Sequence, residues 1–167
     1  MKRIQNPRFV AFFLLIATCL IILLAGFLSH HEMRISTVSI DDYDWSDDEI
    51  THVYLANLKT DSNAVKNTIS VYGWCYIEEV ETNPIEIRVL LHGHDSDDTF
   101  SLPTVVVPMP ELTKQVHDGT NYDNAGFWVN MDYSDSDFPS DVYDVYLLYT
   151  AGDEDPILVD LERRIAM

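Results

Sequence analysis

Phe9 to Leu28 is a run of twenty residues without a charge, FVAFFLLIATCLIILLAGFL. As a helix rising about 1.5 Å per residue it would span roughly 30 Å, the thickness of a bilayer's hydrocarbon core. Lys2, Arg3 and Arg8 precede it, and all 28 acidic residues follow it. That asymmetry predicts a cytoplasmic tail and an outward-facing remainder. A cleaved secretory signal is the alternative. Its apolar centre would be only about 7–15 residues long and would end in small residues, whereas Leu24-Ala25-Gly26 is a poor cleavage site. Cys19, in mid-span behind Thr18, reads as an ordinary apolar residue rather than a lipid-attachment point. The expected parts are a cytoplasmic tail (1–8), a signal-anchor transmembrane helix (9–28), a juxtamembrane stem (29–37) and an extracytoplasmic domain (38–167).

Beyond the apolar run, seven basic residues stand against 28 acidic ones, a charge of −21 with His neutral. Such a domain repels nucleic acid and anionic headgroups, so neither is an expected partner. Much of the acid is Asp, which also suits turns. The abundance of Val, Ile, Tyr and Trp argues against disorder, and the length fits one domain. Cys75 is the single cysteine after the anchor, so no disulfide can form within this part. It lies in an apolar stretch and is expected to be a buried, inert thiol.

Period-two alternation dominates the outer chain. Ile85, Ile87, Val89 and Leu91 alternate with Glu86, Arg88, Leu90 and His92, the pattern of a half-buried strand. Phe127, Val129 and Met131 alternate with Trp128, Asn130 and Asp132, and Val145, Leu147 and Tyr149 with Asp144, Tyr146 and Leu148. Further strands are expected around 38–40, 50–59, 68–77, 99–107 and 157–161, with one helical turn at 111–116. Turn-forming Gly, Asn, Asp and Pro separate them. The expected fold is all-β, an antiparallel two-sheet sandwich (immunoglobulin-like or jelly-roll-like) of about 7–9 strands. Ile87, Val89, Val106, Phe127, Val129, Val145 and Leu147 are its expected core, with Trp74.

Three acidic clusters offer oxygen ligands of the kind calcium needs. They are Asp41 to Glu49, the loop carrying Asp95, Asp97 and Asp98, and the group Asp132, Asp135 and Asp137. None has the Gly-centred twelve-residue calcium loop, and solvated acidic turns are the plainer reading. His92 and His94, two apart on a strand, point to zinc only if a third ligand such as His117 joins them. No Gly-x-Ser-x-Gly elbow or other nucleophile arrangement appears, and a surplus of Asp is not a placed pair of glycosidase carboxylates. The chain therefore reads as non-enzymatic. Trp45, Tyr122, Trp128 and Tyr133 fall at loops or outward positions, where flat rings suit sugar faces or a protein partner.

The segments GTNYDNAGFWVNM (Gly119 to Met131) and YDVYLLYTAGDEDPILVD (Tyr143 to Asp160), with the earlier strand GWCYIE, carry a resemblance. Over roughly Ile69 to Asp160 the chain resembles a small extracytoplasmic β-sandwich domain of bacterial membrane proteins, often associated with cell-surface polysaccharide machinery such as O-antigen polymerase-like or glycosyltransferase proteins. Members often carry Arg-Asp-Val before the turn, where this chain has Lys114-Gln115-Val116. The resemblance implies a sandwich at the cell envelope. The expected function is a membrane-anchored extracytoplasmic binding or accessory module, linked to envelope polysaccharide and partnered by a glycan or a membrane protein. The alternatives are a glycan-active or metal-dependent enzyme of unrecognised type and an interaction subunit of a larger membrane complex.

Overall fold

The computed structural model describes residues 13–24, 34–47, 49–63, 66–139 and 142–167. Two compact units meet in sequence between Arg34 and Ile35. In the first, residues 13–24 form helix α1, whose Leu14, Leu15, Leu20 and Ile21 are exposed. Among the described residues no helix is long and apolar enough to cross a membrane. The span expected at 9–28 runs past α1 at both ends into residues outside the described ones. The tail at 1–8 and stem residues 29–33 lie outside them too.

The second unit is all-β. Its strands are β1 (Ser36–Val38), β2 (Asp44–Trp45), β3 (Thr51–Ser62), β4 (Asn67–Ile77), β5 (Ile85–Gly93), β6 (Thr99–Ser101), β7 (Val105–Val107), β8 (Gly126–Tyr133), β9 (Val142–Ala151) and β10 (Ile157–Ala166), with helix α2 (Pro110–Val116) between β7 and β8. They form a six-stranded sheet, β1-β6-β5-β9-β10-β2, and a four-stranded sheet, β3-β4-β8-β7. Every pairing is antiparallel except β2 with β10, which is parallel. The sheet domain starts at Ile35, three residues before the expected boundary at 38, because Ser36 and Thr37 pair with Ser101 and Phe100.

One expected strand, 99–107, is two. Thr99–Ser101 belongs to the larger sheet and Val105–Val107 to the smaller, and the chain changes sheet through Leu102, Pro103 and Thr104. Pro103 has no N–H to offer a ladder. The Thr104 hydroxyl instead accepts from Val89 N at 2.8 Å.

The period-two apolar residues meet between the sheets. Ile69, Val71, Phe127 and Val129 from the smaller sheet face Ile87, Val89, Val145 and Leu147 from the larger, all buried in one cluster. Each such side chain contributes roughly 1.5–3 kcal/mol when removed from water. Val106, expected in the core, is only half-buried because β7 is a three-residue edge strand.

Each sheet also has its outer face partly covered. On the larger sheet, Leu90, Leu148 and Leu158 point outward and are buried under Val38, Ile40 and Tyr43. The segment joining β1 to β2, at opposite edges of that sheet, forms this cover. On the smaller sheet, Tyr76, Tyr122 and Ala125 pack beneath Leu112, Met109 and Val116 of α2 and its approach. α2 has Pro110 at its first turn, where the missing N–H costs nothing, and ends on His117 in the left-handed conformation.

Candidate functional site

What α2 leaves uncovered on the smaller sheet is the candidate site. In β4 the odd residues Ile69, Val71, Gly73 and Cys75 are buried, so Thr68, Ser70, Tyr72, Trp74 and Tyr76 point outward. On β8 the outward set is Gly126, Trp128, Asn130 and Asp132. A bulge between Leu55 and Asn57 keeps β3 in step, so that Tyr54 lies opposite Trp74 and Asn57 opposite Tyr72.

The ladder arranges these side chains in rows. Nearest α2, His52 and Tyr76 stand side by side, ring centroids 4.9 Å apart. The next row holds Tyr54 and Trp74, stacked at 5.8 Å. The third holds Asn57, Tyr72, Trp128 and Val105. Below these the face turns polar, with Lys59, Ser70 and Asn130, then Asp61, Thr68 and Asp132. Tyr54 is 55 % exposed and Trp128 44 % exposed. Trp74 is half-buried, its ring 5.7 Å from Tyr76, and like Met109 it packs against the cluster of Tyr76, Leu112, Tyr122 and Ala125. The Tyr72 hydroxyl reaches the Met109 sulfur at 3.5 Å. The outcome is a ring-lined surface flanked by a second small core.

Polar atoms here are held in fixed places. Asn57 Nδ2 donates to Ser70 Oγ at 3.0 Å. Lys66 Nζ donates to Asp132 Oδ2 at 3.0 Å, and Thr68 Oγ1 to Asp132 Oδ1 at 3.1 Å. The Lys66 hydrogen bond holds the Asp132 carboxyl below the ordinary range, against the opposing effect of burial and with help from Thr68.

The four aromatic residues singled out in the sequence are not brought together. Trp128 lies on this face. Trp45 is also exposed, but on β2 of the other sheet, where it packs edge-on to Tyr146 at 5.3 Å. Tyr122 and Tyr133, expected outward, are buried, and this corrects the expectation. Tyr122 turns inward because α2 folds over it. Its ring lies 4.4 Å from Tyr76 and its hydroxyl donates to Asp118 Oδ2 at 2.5 Å while accepting from Glu79 N at 2.9 Å. Tyr133 occupies an odd, inward position of β8 and meets Phe138 at 5.3 Å. Trp74, expected in the core, is the reverse case, since its even position puts it on the outer face.

The GTNYDNAG stretch is structural throughout. Thr113 Oγ1 donates to Asp123 Oδ1 at 2.6 Å and accepts from Tyr122 N at 2.8 Å. Buried Thr82 donates from its N to Asn121 O at 2.9 Å and its carbonyl accepts from Asn124 Nδ2 at 3.2 Å. Gly126 ends it, at a place where a Cβ would strike the Val107 carbonyl. These bonds lock α2 over Tyr76.

Among the described residues the acidic clusters do not converge on a common site. Asp135 accepts from Asn67 Nδ2 at 2.7 Å and Asp137 from Ser134 N at 2.7 Å, so each carboxylate of the Asp132, Asp135 and Asp137 group serves a different partner. Asp95, Asp97 and Asp98 are exposed in the β5–β6 turn. Among the described residues no group of three or more His, Cys, Asp or Glu is placed to hold a metal ion. His92 Nδ1 contacts Thr99 Oγ1 at 2.8 Å and His94 Nδ1 contacts Asp144 Oδ2 at 2.9 Å, while His117 caps α2 beside the other sheet. Cys75 is fully buried, and desolvation pushes its thiol up to about 12, which leaves it protonated and unreactive.

Compared with known proteins, the chain matches no family model, no curated protein and no solved structure.

Proposed function

We propose that this chain is a membrane-anchored, extracytoplasmic binding module whose ligand is a glycan of the cell envelope, held on the outer face of the four-stranded sheet. The observation that carries the reading is the aromatic group of exposed Tyr54 and Trp128 with half-buried Trp74 and Tyr72, set on three adjacent strands and bordered by the amides Asn57 and Asn130. Ring faces take the C–H faces of sugars, and amides beside them serve hydroxyl groups. The uncharged run at 9–28 and the basic residues before it support anchoring with this domain outside.

Binding of purified envelope polysaccharide to the full chain in detergent micelles tests the ligand. Trp128→Ala should weaken it about tenfold or more, as loss of a central aromatic anchor does, while Trp45→Ala on the opposite sheet should not. Equal effects of the two substitutions would remove the face from consideration. Topology is tested separately with a membrane-impermeant maleimide. It should label Asp97→Cys, in the exposed β5–β6 turn, on intact cells and leave buried Cys75 unmodified. Labelling at position 97 only after lysis would place the domain inside.

A further inference from the structure

The glycan-binding reading leaves the chemical class of the glycan open, and the charge pattern of the face narrows it. The outer face runs from Trp74 to Thr68 along β4, seven residues or about 20 Å, longer than any single sugar ring. Its upper rows are aromatic, and its lower rows set Ser70, Asn130 and Thr68 among Lys59, Asp61 and Asp132. Two cations border the polar rows, and both are already engaged. Lys59 Nζ lies 2.7 Å from Asp61 Oδ2, and Lys66 Nζ lies 3.0 Å from Asp132 Oδ2. The two lysines and two aspartates cancel, within a domain whose excess of acid is general.

We infer that the face selects an uncharged oligosaccharide chain, laid along β4 with its sugar faces on the aromatic rows and its hydroxyls over Ser70, Asn57 and Asn130. An anionic polymer would have to draw Lys59 or Lys66 away from its carboxylate and would leave Asp61 and Asp132 facing like charge. A cationic polymer would be attracted anywhere on this surface, with no need for the rings, and salt would screen that attraction. A neutral chain loses nothing to either effect. Ser, Thr and Asn side chains both donate and accept, which suits hydroxyl groups that do the same.

The test is retention of the full chain, in detergent micelles, on immobilised polymers of three classes. Dextran, galactomannan and xylan are the neutral set, alginate and polygalacturonate the anionic set, and chitosan the cationic one. The expected result is retention on at least one neutral polymer, unchanged when salt is raised. It should fall about tenfold in Trp128→Ala and in Asn130→Ala and be unaltered by Lys66→Gln, just before β4. Both ring and amide are exposed, so the variants should melt as the parent does, and the melting temperature checks this. Retention confined to anionic polymers and lost in Trp128→Ala and Lys66→Gln would overturn the neutral class while leaving a glycan site in place. Binding to chitosan alone, insensitive to Trp128→Ala and abolished by salt, would mean diffuse charge and overturn the inference. Retention on no polymer would overturn the glycan reading together with it.

Discussion

Tyr54 and Trp74 stack across the β3–β4 ladder because the residue between Trp74 and Tyr72 is Gly73. A Cβ on Gly73 would strike the Tyr54 carbonyl and come within 2.8 Å of the Phe127 ring. The strand pair therefore closes to its present register only with glycine there, and the spacing of the outer rings follows from a small residue on the inner side.

Gly73→Ala should accordingly damage both sides of the sheet. Backbone at Tyr54 must shift or Phe127 must leave its buried position. Overpacking of this kind costs about 1–3 kcal/mol. Urea denaturation of the full chain should show that loss, and ligand retention should fall with it. A stability unchanged within about 0.5 kcal/mol would mean the ladder is looser than described.

Acid should weaken the domain through a small set of carboxylates. The Tyr122 hydroxyl, helped by Thr120 N, holds Asp118 below the ordinary carboxylate value of 3.8, and Lys66 does so for Asp132. At Asp144 burial pushes the other way, but hydrogen bonds from Arg164 and His94 outweigh it and the carboxyl is again lowered. A carboxylate more acidic in the folded chain than in the unfolded one stabilises fully above the unfolded value. That stability is lost as pH falls through the folded value. The melting temperature should thus hold steady down to about pH 4 and decline below it. Asp144→Asn should remove part of that decline, and a decline beginning near neutral pH would point to other groups.

Strands with one wet face were legible in the sequence because their alternation has period two. Ile85–Gly93 is the clearest example: Ile87, Val89 and Leu91 are buried and Glu86 and Arg88 exposed as the alternation puts them, while Leu90, on the outward phase, is buried by the segment that covers that face. The stretch 68–77 was legible as a strand but not as two faces. Val71 and Cys75 are apolar, and so are Tyr72 and Trp74, so composition alone could not say which side holds the core. The parity of Thr68 and Ser70 was the available signal, since two hydroxyl residues share a face with Tyr72, Trp74 and Tyr76.

Tyr122 and the split of 99–107 were hidden for another reason. Each depends on what a distant segment covers or pairs with. Nothing near Tyr122 announces that α2 folds back over it, and three consecutive valines suit either sheet. Trp128 was found as an outward ring, yet its grouping with Tyr54 required the order β3-β4-β8.

The central claim is that the ligand lies on the outer face of the four-stranded sheet. Hydroxyl-radical footprinting of the full chain, with and without saturating polysaccharide, tests it most directly. Trp45 serves as an internal reference, since it is as exposed as Tyr54 and stands on the other sheet. Ligand should protect Tyr54 and Trp128 and leave Trp45 oxidised at its original rate. Protection of Trp45 with Tyr54 and Trp128 unchanged would contradict the account and move the site to the opposite face.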